Sequence, residues 1–228
     1  MSQVRVGIAG LGTVGCGTIQ LLQQNASFLK LRAGQDIVVT AVSARSKNKQ
    51  RSVDVSGIKW YDDPVAIADD PNVDIVVELM GGSEGDARQL VSRALANGKH
   101  VVTANKALIA HHGLQLATIA EDKQVVLAFE AAVAGGIPII GTLRDGLGAN
   151  KFSRIAGILN GTCNYILTTM HKQGRNFEDV LQEAQELGYA EADPSFDVDG
   201  IDTAHKLAII PSLAFGTPVN IDAIHIEG

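Results

Sequence analysis

A doubly wound parallel α/β sheet followed by a second, smaller α+β domain is the fold this sequence predicts. Three observations carry that expectation. Short β-branched runs alternate with amphipathic stretches through the first half of the chain; a G-x-G-x-x-G loop stands directly after the first of those runs; and the rhythm changes after Gly135.

In chain order the strand-like runs are VRVGIA (4–9), IVVTAV (37–42), VDIVVELM (73–80), HVVTA (100–104) and VVLAF (125–129). Each is nearly continuously apolar, as strands of a parallel sheet covered on both faces must be. Between them lie helical patterns. The first follows the glycine loop, with Val14, Thr18, Leu21 and Leu22 as its expected apolar face. Another, DARQLVSRALANG (86–98), sets Leu90, Val91, Ala94 and Leu95 in one stripe, with Gly98 after Asn97 as a stop signal. A boundary is expected between residues 134 and 135. Beyond it come a strand-like RIAGILN (154–160), a helix through NYILTTMHKQ (164–173) and a helix FEDVLQEAQELG (177–188) capped by Asn176 and closed by Gly188. An acidic stretch, YAEADPSFDVDG (189–200), then leads into an apolar helix from Ile201 towards Phe215, and DAIHIEG (222–228) reads as a last strand.

Composition narrows the function. The 228 residues are 46% hydrophobic, enough for a sizeable core. A net charge of −6 with both signs interspersed excludes the broad cationic surface that nucleic acid requires. The cysteines, Cys16 and Cys163, form no CxxC pair, and the six histidines show no metal-ligand spacing, so neither a disulfide framework nor a zinc site is expected. No apolar run is long enough to span a bilayer, and the first strand begins too near Met1 for a signal peptide to precede it. A soluble, cytoplasmic protein with no membrane partner is the expectation.

The loop Gly10, Gly12, Gly15 lies between a strand and a helix, which is the context that gives the motif its meaning. The first glycine makes the turn, the second lets a pyrophosphate approach the backbone, the third packs the helix closely, and the helix N-terminus favours the anion. Gly10, Gly12, Thr13, Val14 and Gly15 are therefore expected against a dinucleotide in a Rossmann-like domain. At the end of the second strand the acidic residue that would bind a ribose 2′-hydroxyl is missing. The sequence there is Ser43-Ala44-Arg45-Ser46-Lys47. Arg45 suits a 2′-phosphate, which favours NADP while leaving NAD open.

Two places offer chemistry. Lys106 follows the strand HVVTA, at the carboxyl end of a parallel strand, where open sheets bind ligands. A helix-capping or solvent-facing lysine is the competing reading. Asp202 and Lys206, four apart, share one face of a helix whose other residues are mostly apolar. Stripping two ions of water costs several kcal/mol each, so such a pair needs a purpose beyond a surface ion pair. The acidic stretch upstream does not fit a calcium loop: aligning Asp197, Asp199 and Gly200 to its third, fifth and sixth positions puts Lys206 where the bidentate Glu belongs. A pocket for a substrate ammonium is the better reading, with helix N-terminal decoration as the alternative.

The motifs GIAGLGTVG, VVELMGG, HVVTANKALIA, FEAAVAGGIPII, ILNGTCNYIL and GYAEADPSFDVDGIDTAHKLAI, in that order, resemble homoserine dehydrogenase over nearly the whole chain. The resemblance implies NAD(P)-dependent interconversion of L-aspartate 4-semialdehyde and L-homoserine, on the route to threonine, methionine and isoleucine. It implies Lys206 and Asp202 as the catalytic pair and Lys106 between nicotinamide and substrate. Glu191 and Asp197 would line the amino-acid site, with Tyr189, Gly161 and Thr162 in its wall. Glu130 and the carbonyls of Val133, Gly135 and Ile137 would hold a monovalent cation, sodium, and the complete enzyme would be a homodimer. Members of the family continue beyond the equivalent of HIEG. The second domain is therefore expected to be incomplete, and this chain alone to bind NADP, turn over substrate poorly and expose an apolar face. Another nicotinamide enzyme of the same fold and a non-catalytic nucleotide-binding fragment are the alternatives.

Overall fold

A computed structural model describes residues 3–228, which group into two compact units, the first ending at Ile137 and the second spanning Pro138–Gly228. The first unit is a six-stranded parallel sheet. Its strands are β1 (Gln3–Ala9), β2 (Asp36–Ser43), β3 (Lys59–Tyr61), β4 (Ile75–Glu78), β5 (His100–Thr103) and β6 (Leu127–Ala128), in the order β3-β2-β1-β4-β5-β6. The chain thus winds outward one way from β1 and then the other. The reversal between β1 and β4 leaves a crevice at their carboxyl ends.

The five strands expected from the sequence are present, with shorter ends at β4 and β6. The edge strand β3, Lys59-Trp60-Tyr61, carries too few residues to display a period and was not foreseen. Helices α1 (Thr13–Gln24) and α2 (Ala26–Ala33) join β1 to β2, α3 (Asp86–Ala96) joins β4 to β5 and α4 (Lys106–Asp122) joins β5 to β6, while a 3₁₀ turn over Pro64–Asp69 lies between β3 and β4. In α3 the predicted stripe Leu90, Val91, Ala94 and Leu95 is buried, and Gly98 takes the left-handed conformation (φ +75°) that a helix stop favours.

Helix α1 corrects an expectation. Its buried face is Gly15, Cys16 and Ile19, whereas Val14 and Leu21 are 60% and 54% exposed. The glycine face, not the aliphatic one, turns towards the strands, because Gly15 must approach the Gly10 carbonyl, and this sets the helix rotation. Cys16 and Ile19 then join Val6, Ile8, Leu11, Val42 and Val77 in one core cluster. A fully buried isoleucine such as Ile19 contributes about 1.5–3 kcal/mol.

Among its described residues the second unit is helical. A turn, α5 (Ile139–Gly141), continues as a π-turn over Thr142–Gly146. Then come α6 (Gly161–Gln173), α7 (Phe177–Glu186), the single turn α8 (Ser195–Val198) and α9 (Ile201–Phe215). Asn176 caps α7 by accepting from the Asp179 N–H at 2.9 Å, and Gly188 stands at φ +76°, as expected. Ile166, Val180, Ala184 and Ala190 form the small core between α6 and α7.

Of the two strand candidates of this half, 154–160 is irregular and 222–228 begins inside a 3₁₀ turn (Ile221–Ala223) before continuing irregularly, and neither pairs with a strand among the described residues. A strand is stabilised by its ladder, and neither segment has one to join. Residues 159 and 160 instead direct their polar groups into a side-chain network, and the chain end packs by Ile226 and Gly228 against the 198–200 turn.

Candidate functional site

The glycine loop shows why each of its three glycines is needed. Gly10 has φ +103°, and a Cβ there would lie 2.5 Å from the Leu79 carbonyl oxygen; its N–H donates to Ser43 O at 2.9 Å. At Gly15 a Cβ would fall 1.9 Å from the Gly10 carbonyl oxygen. Around Gly12, the residue before α1, a Cβ would meet nothing within 4 Å. The first and third glycines are thus required by the protein's own backbone. The second opens onto a cavity of ≈ 670 Å³ that also touches Ser43, Arg45, Lys49, Arg51, Met80 and Gly81. Thr13 and Val14 occupy the exposed first turn of α1.

Arg45 is exposed at the wall of that cavity, and Lys47 is not among the residues lining it. Sequence reasoning missed Arg51. Its guanidinium donates to the carbonyls of Ser46, Lys47 and Lys49 and sits 5.2 Å from the Trp60 ring centroid. The buried Nε has no partner among the described residues. This side chain braces the 46–49 loop, so the same cavity wall carries Arg45, Lys49 and Arg51. The signal that could have found it was the cation density of 45–51 itself.

A second missed residue is Glu78, fully buried at the end of β4. One carboxylate oxygen accepts the N–H groups of Met80 and Gly81 at 2.7 and 3.2 Å, and the other accepts the Thr103 hydroxyl at 2.6 Å. That hydroxyl accepts from the Asn105 N–H at 2.9 Å, and the Asn105 side chain donates to Gly82 O and caps α4 by accepting from the Leu108 N–H. The network ties the loop after β4 to the start of α4. Lys106 is the first residue of that helix and is half-buried. A cation at a helix N-terminus lies at the unfavourable end of the helix dipole, so its position is not explained by helix stability or by C-terminal capping.

The segment Glu130–Ala132 is a 3₁₀ turn, followed by Ala134 at φ +50° and Gly136 at φ +88°. The Ile137 N–H closes the turn on Ala134 O at 2.8 Å. Val133 is buried, while Glu130, Gly135 and Ile137 are exposed. Among the described residues no three His, Cys, Asp or Glu side chains are placed to hold a metal ion. A cation at this loop would rest on one carboxylate and backbone carbonyls, a donor set suited to a hard ion.

In the second unit the predicted pair is brought together. Lys206 Nζ donates to Asp202 Oδ2 at 2.6 Å and to the Leu159 carbonyl at 2.7 Å, with the two side chains 18% and 6% exposed. Asp202 lies in the first turn of α9, where a carboxylate meets the favourable end of the helix dipole. Asp197, on α8, is joined to Asp202 through the Asn160 side chain, which donates to both at 2.7 and 2.8 Å. Burial first, and then the charges of Asp197 and Asp202, push the Cys163 thiol above its ordinary value. Cys163 is accordingly a donor, to Asp197 O at 3.2 Å, and not a thiolate nucleophile.

The other residues expected here form a looser rim. Gly161 opens α6, and the Thr162 hydroxyl donates to Tyr189 O at 2.8 Å. The exposed Tyr189 ring stacks at a tilt on Tyr165, centroids 5.0 Å apart. Glu191 is exposed, and its backbone carbonyl accepts from Gln185 at 3.0 Å. The structure therefore gathers Lys206, Asp202 and Asp197 tightly, but does not draw the Glu191 side chain into their hydrogen-bond network.

Comparison with known proteins agrees with both halves. Residues 10–130 match the family model "Homoserine dehydrogenase, NAD binding domain", and residues 138–228 match "Homoserine dehydrogenase". The homoserine dehydrogenase of Pseudomonas aeruginosa is 53% identical over 228 residues, covering 100% of this chain and 52% of its own length. A crystal structure of a homoserine dehydrogenase from Thiobacillus denitrificans superposes with a TM-score of 0.93 at 51% identity, over 100% of this chain and 52% of that one. A hyperthermophilic archaeal homoserine dehydrogenase in complex with NADPH superposes with a TM-score of 0.83 at 27% identity, over 98% and 75% of the two chains. The chain spans about half the length of the curated relatives it matches.

Proposed function

We propose that this chain, which belongs to the homoserine dehydrogenase family, carries the nucleotide site and the proton-handling pair of an enzyme that moves a hydride between a nicotinamide dinucleotide and the pair L-aspartate 4-semialdehyde and L-homoserine. The observation that carries the reading is the Lys206–Asp202 pair at 2.6 Å, nearly buried on an apolar helix and braced by the Leu159 carbonyl. Two ions are not buried cheaply, and a positioned ammonium is what a developing alkoxide requires. When bound, the dinucleotide supplies the hydride. The residues of this chain orient it and handle the proton.

Gly12 offers the pyrophosphate an open approach at the start of α1, and Arg45, with Lys49 and Arg51, offers positive charge to a ribose 2′-phosphate. Lys106 is proposed to hold an anionic group of the ligands, and Asp197 and Glu191 the substrate ammonium, with Tyr189, Gly161 and Thr162 as the wall of that pocket. Glu130 and the carbonyls of Val133, Gly135 and Ile137 are proposed to hold sodium in a structural role, which the turn at Ala134 and Gly136 supports. The resemblance supports a cytoplasmic homodimer serving threonine, methionine and isoleucine biosynthesis as the setting of the full-length protein. No helix of the described residues is long and apolar enough to cross a membrane.

The test is the absorbance of NADPH during reaction with L-aspartate 4-semialdehyde, measured on this chain and, where it is part of a longer protein, on that protein. Oxidation of NADPH by the longer protein is expected, with binding but little turnover by this chain alone. Faster oxidation of a different hydroxy acid than of homoserine would overturn the substrate, and binding without turnover by either protein would overturn the activity.

Cofactor choice has its own test. Arg45→Ala is expected to weaken NADPH by about 10- to 100-fold, since a charge-assisted hydrogen bond contributes roughly 1.5–3 kcal/mol, while NADH changes little. Equal weakening of both cofactors, in fluorescence titrations, would mean that Arg45 shapes the loop and does not read the phosphate.

A further inference from the structure

We infer that Asn160 is a positioning residue that sets the distance between the amine-handling and ammonium-binding ends of the amino-acid site, by bridging Asp202 and Asp197 with the two N–H groups of one amide. The inference rests on the roles proposed above for Lys206 and Asp197.

Asn160 is buried at the residue preceding α6, in extended conformation (φ −127°, ψ 123°). Its side-chain oxygen accepts from the Cys163 backbone N–H at 2.8 Å. A backbone N–H can only donate, so the oxygen must face it, and the NH₂ end is thereby oriented the other way. Both of its protons are used, one on Asp197 Oδ1 at 2.7 Å and one on Asp202 Oδ2 at 2.8 Å. The same Asp202 oxygen receives Lys206 Nζ, whose second anchor, the Leu159 carbonyl, belongs to the residue before Asn160.

Helix capping does not explain this residue. Ser or Asp caps as well as Asn, and neither presents an amide. Only an acceptor and two donors in one short planar group serve the cap and both carboxylates at once, and a neutral amide between two acids relieves a repulsion that the bare pair would suffer. The consequence is geometric. Asp197 places the 2-ammonium of an amino-acid substrate, Asp202 places the Lys206 amine, and one side chain holds the two together.

The experiment uses the full-length protein and the variants Asn160→Ser and Asn160→Asp, both of which keep the cap and lose the bridge. Asn160→Ser is expected to stay folded at the assay temperature while melting below the parent, and Asn160→Asp, which sets a third carboxylate against two, to melt lower still. The folded Asn160→Ser protein is expected to keep its KM for NADPH within about twofold and to lose about 10- to 100-fold in kcat/KM for the amino-acid substrate, the scale of a small misplacement of reacting groups. On an Asp197→Asn background the further loss from Asn160→Ser should be much smaller than on the parent, because the bridge already lacks one end. A kcat/KM for Asn160→Ser within twofold of the parent, fully additive losses in the double variant, or activity that falls only in step with the folded fraction would each overturn the bridge. Lys206→Ala is measured alongside. An inactive Lys206→Ala beside an unimpaired Asn160→Ser removes Asn160 alone, whereas full activity in both removes the proposed roles on α9 as well.

Discussion

Lys206→Ala is expected to lower kcat by about 10²- to 10⁴-fold, the range for a lost general acid or base. Among the described residues the ammonium spends two of its three N–H groups, on Asp202 and on the Leu159 carbonyl, which leaves one to meet a reacting oxygen. The two anchors fix the direction of the third. Removing the amine also leaves Asp202 without its counter-ion, although it keeps the Asn160 amide, so a stability loss of about 1–3 kcal/mol should accompany the kinetic one. The double variant Lys206→Met, Asp202→Asn separates these effects, because it removes both charges and with them the stranded carboxylate. Its melting temperature should recover towards the parent while its kcat stays low. Steady-state rates at saturating NADPH together with thermal melts of the full-length protein check both points. A single variant within tenfold of the parent would take Lys206 out of the mechanism.

That pair was legible in the sequence because its surroundings were. Ala204, Ala208, Ile209 and Ile210 are buried on the same helix, so two charges four residues apart stood out against an apolar background. The glycine loop was legible for a similar reason, lying between a strand and a helix that each declared themselves by period. What escaped were the buried side-chain networks that join distant parts of the chain. Asn160 meets Asp197 and Asp202 across 37 and 42 residues, and Glu78 meets Thr103 across 25. Nothing in a local window distinguishes either from an ordinary polar residue at the end of an apolar run.

The rotation of α1 escaped by another route. Its larger aliphatic residues gave the stronger periodic signal, but the close approach of Gly15 to the Gly10 carbonyl overrode it. The strand candidates 154–160 and 222–228 show the converse limit. Their β-branched composition suits a strand, yet strand formation requires a partner, and composition does not say whether one is present.

The glycine loop yields the second large effect, and it separates folding from binding at neighbouring positions. Gly15→Ala would set a methyl carbon 1.9 Å from the Gly10 carbonyl oxygen, far inside contact distance, and backbone is the obstacle. Helix α1 would have to lift from the loop, dragging Cys16 and Ile19 out of the core they share with Val6 and Ile8. A destabilisation of about 1–3 kcal/mol or more is expected, with NADPH binding lost by at least ~100-fold because the loop and the helix N-terminus no longer converge on the pyrophosphate. Gly12→Ala is the contrast. A methyl group there meets nothing within 4 Å, and its φ of −80° is open to any residue, so the melt should match the parent. Affinity for NADPH should still fall, since the new carbon occupies the space through which the pyrophosphate reaches the backbone. Thermal melts and fluorescence titrations on the two variants distinguish the cases. Unimpaired binding by Gly12→Ala would place the pyrophosphate elsewhere, and a parent-like melt for Gly15→Ala would show that α1 can yield without disturbing the core.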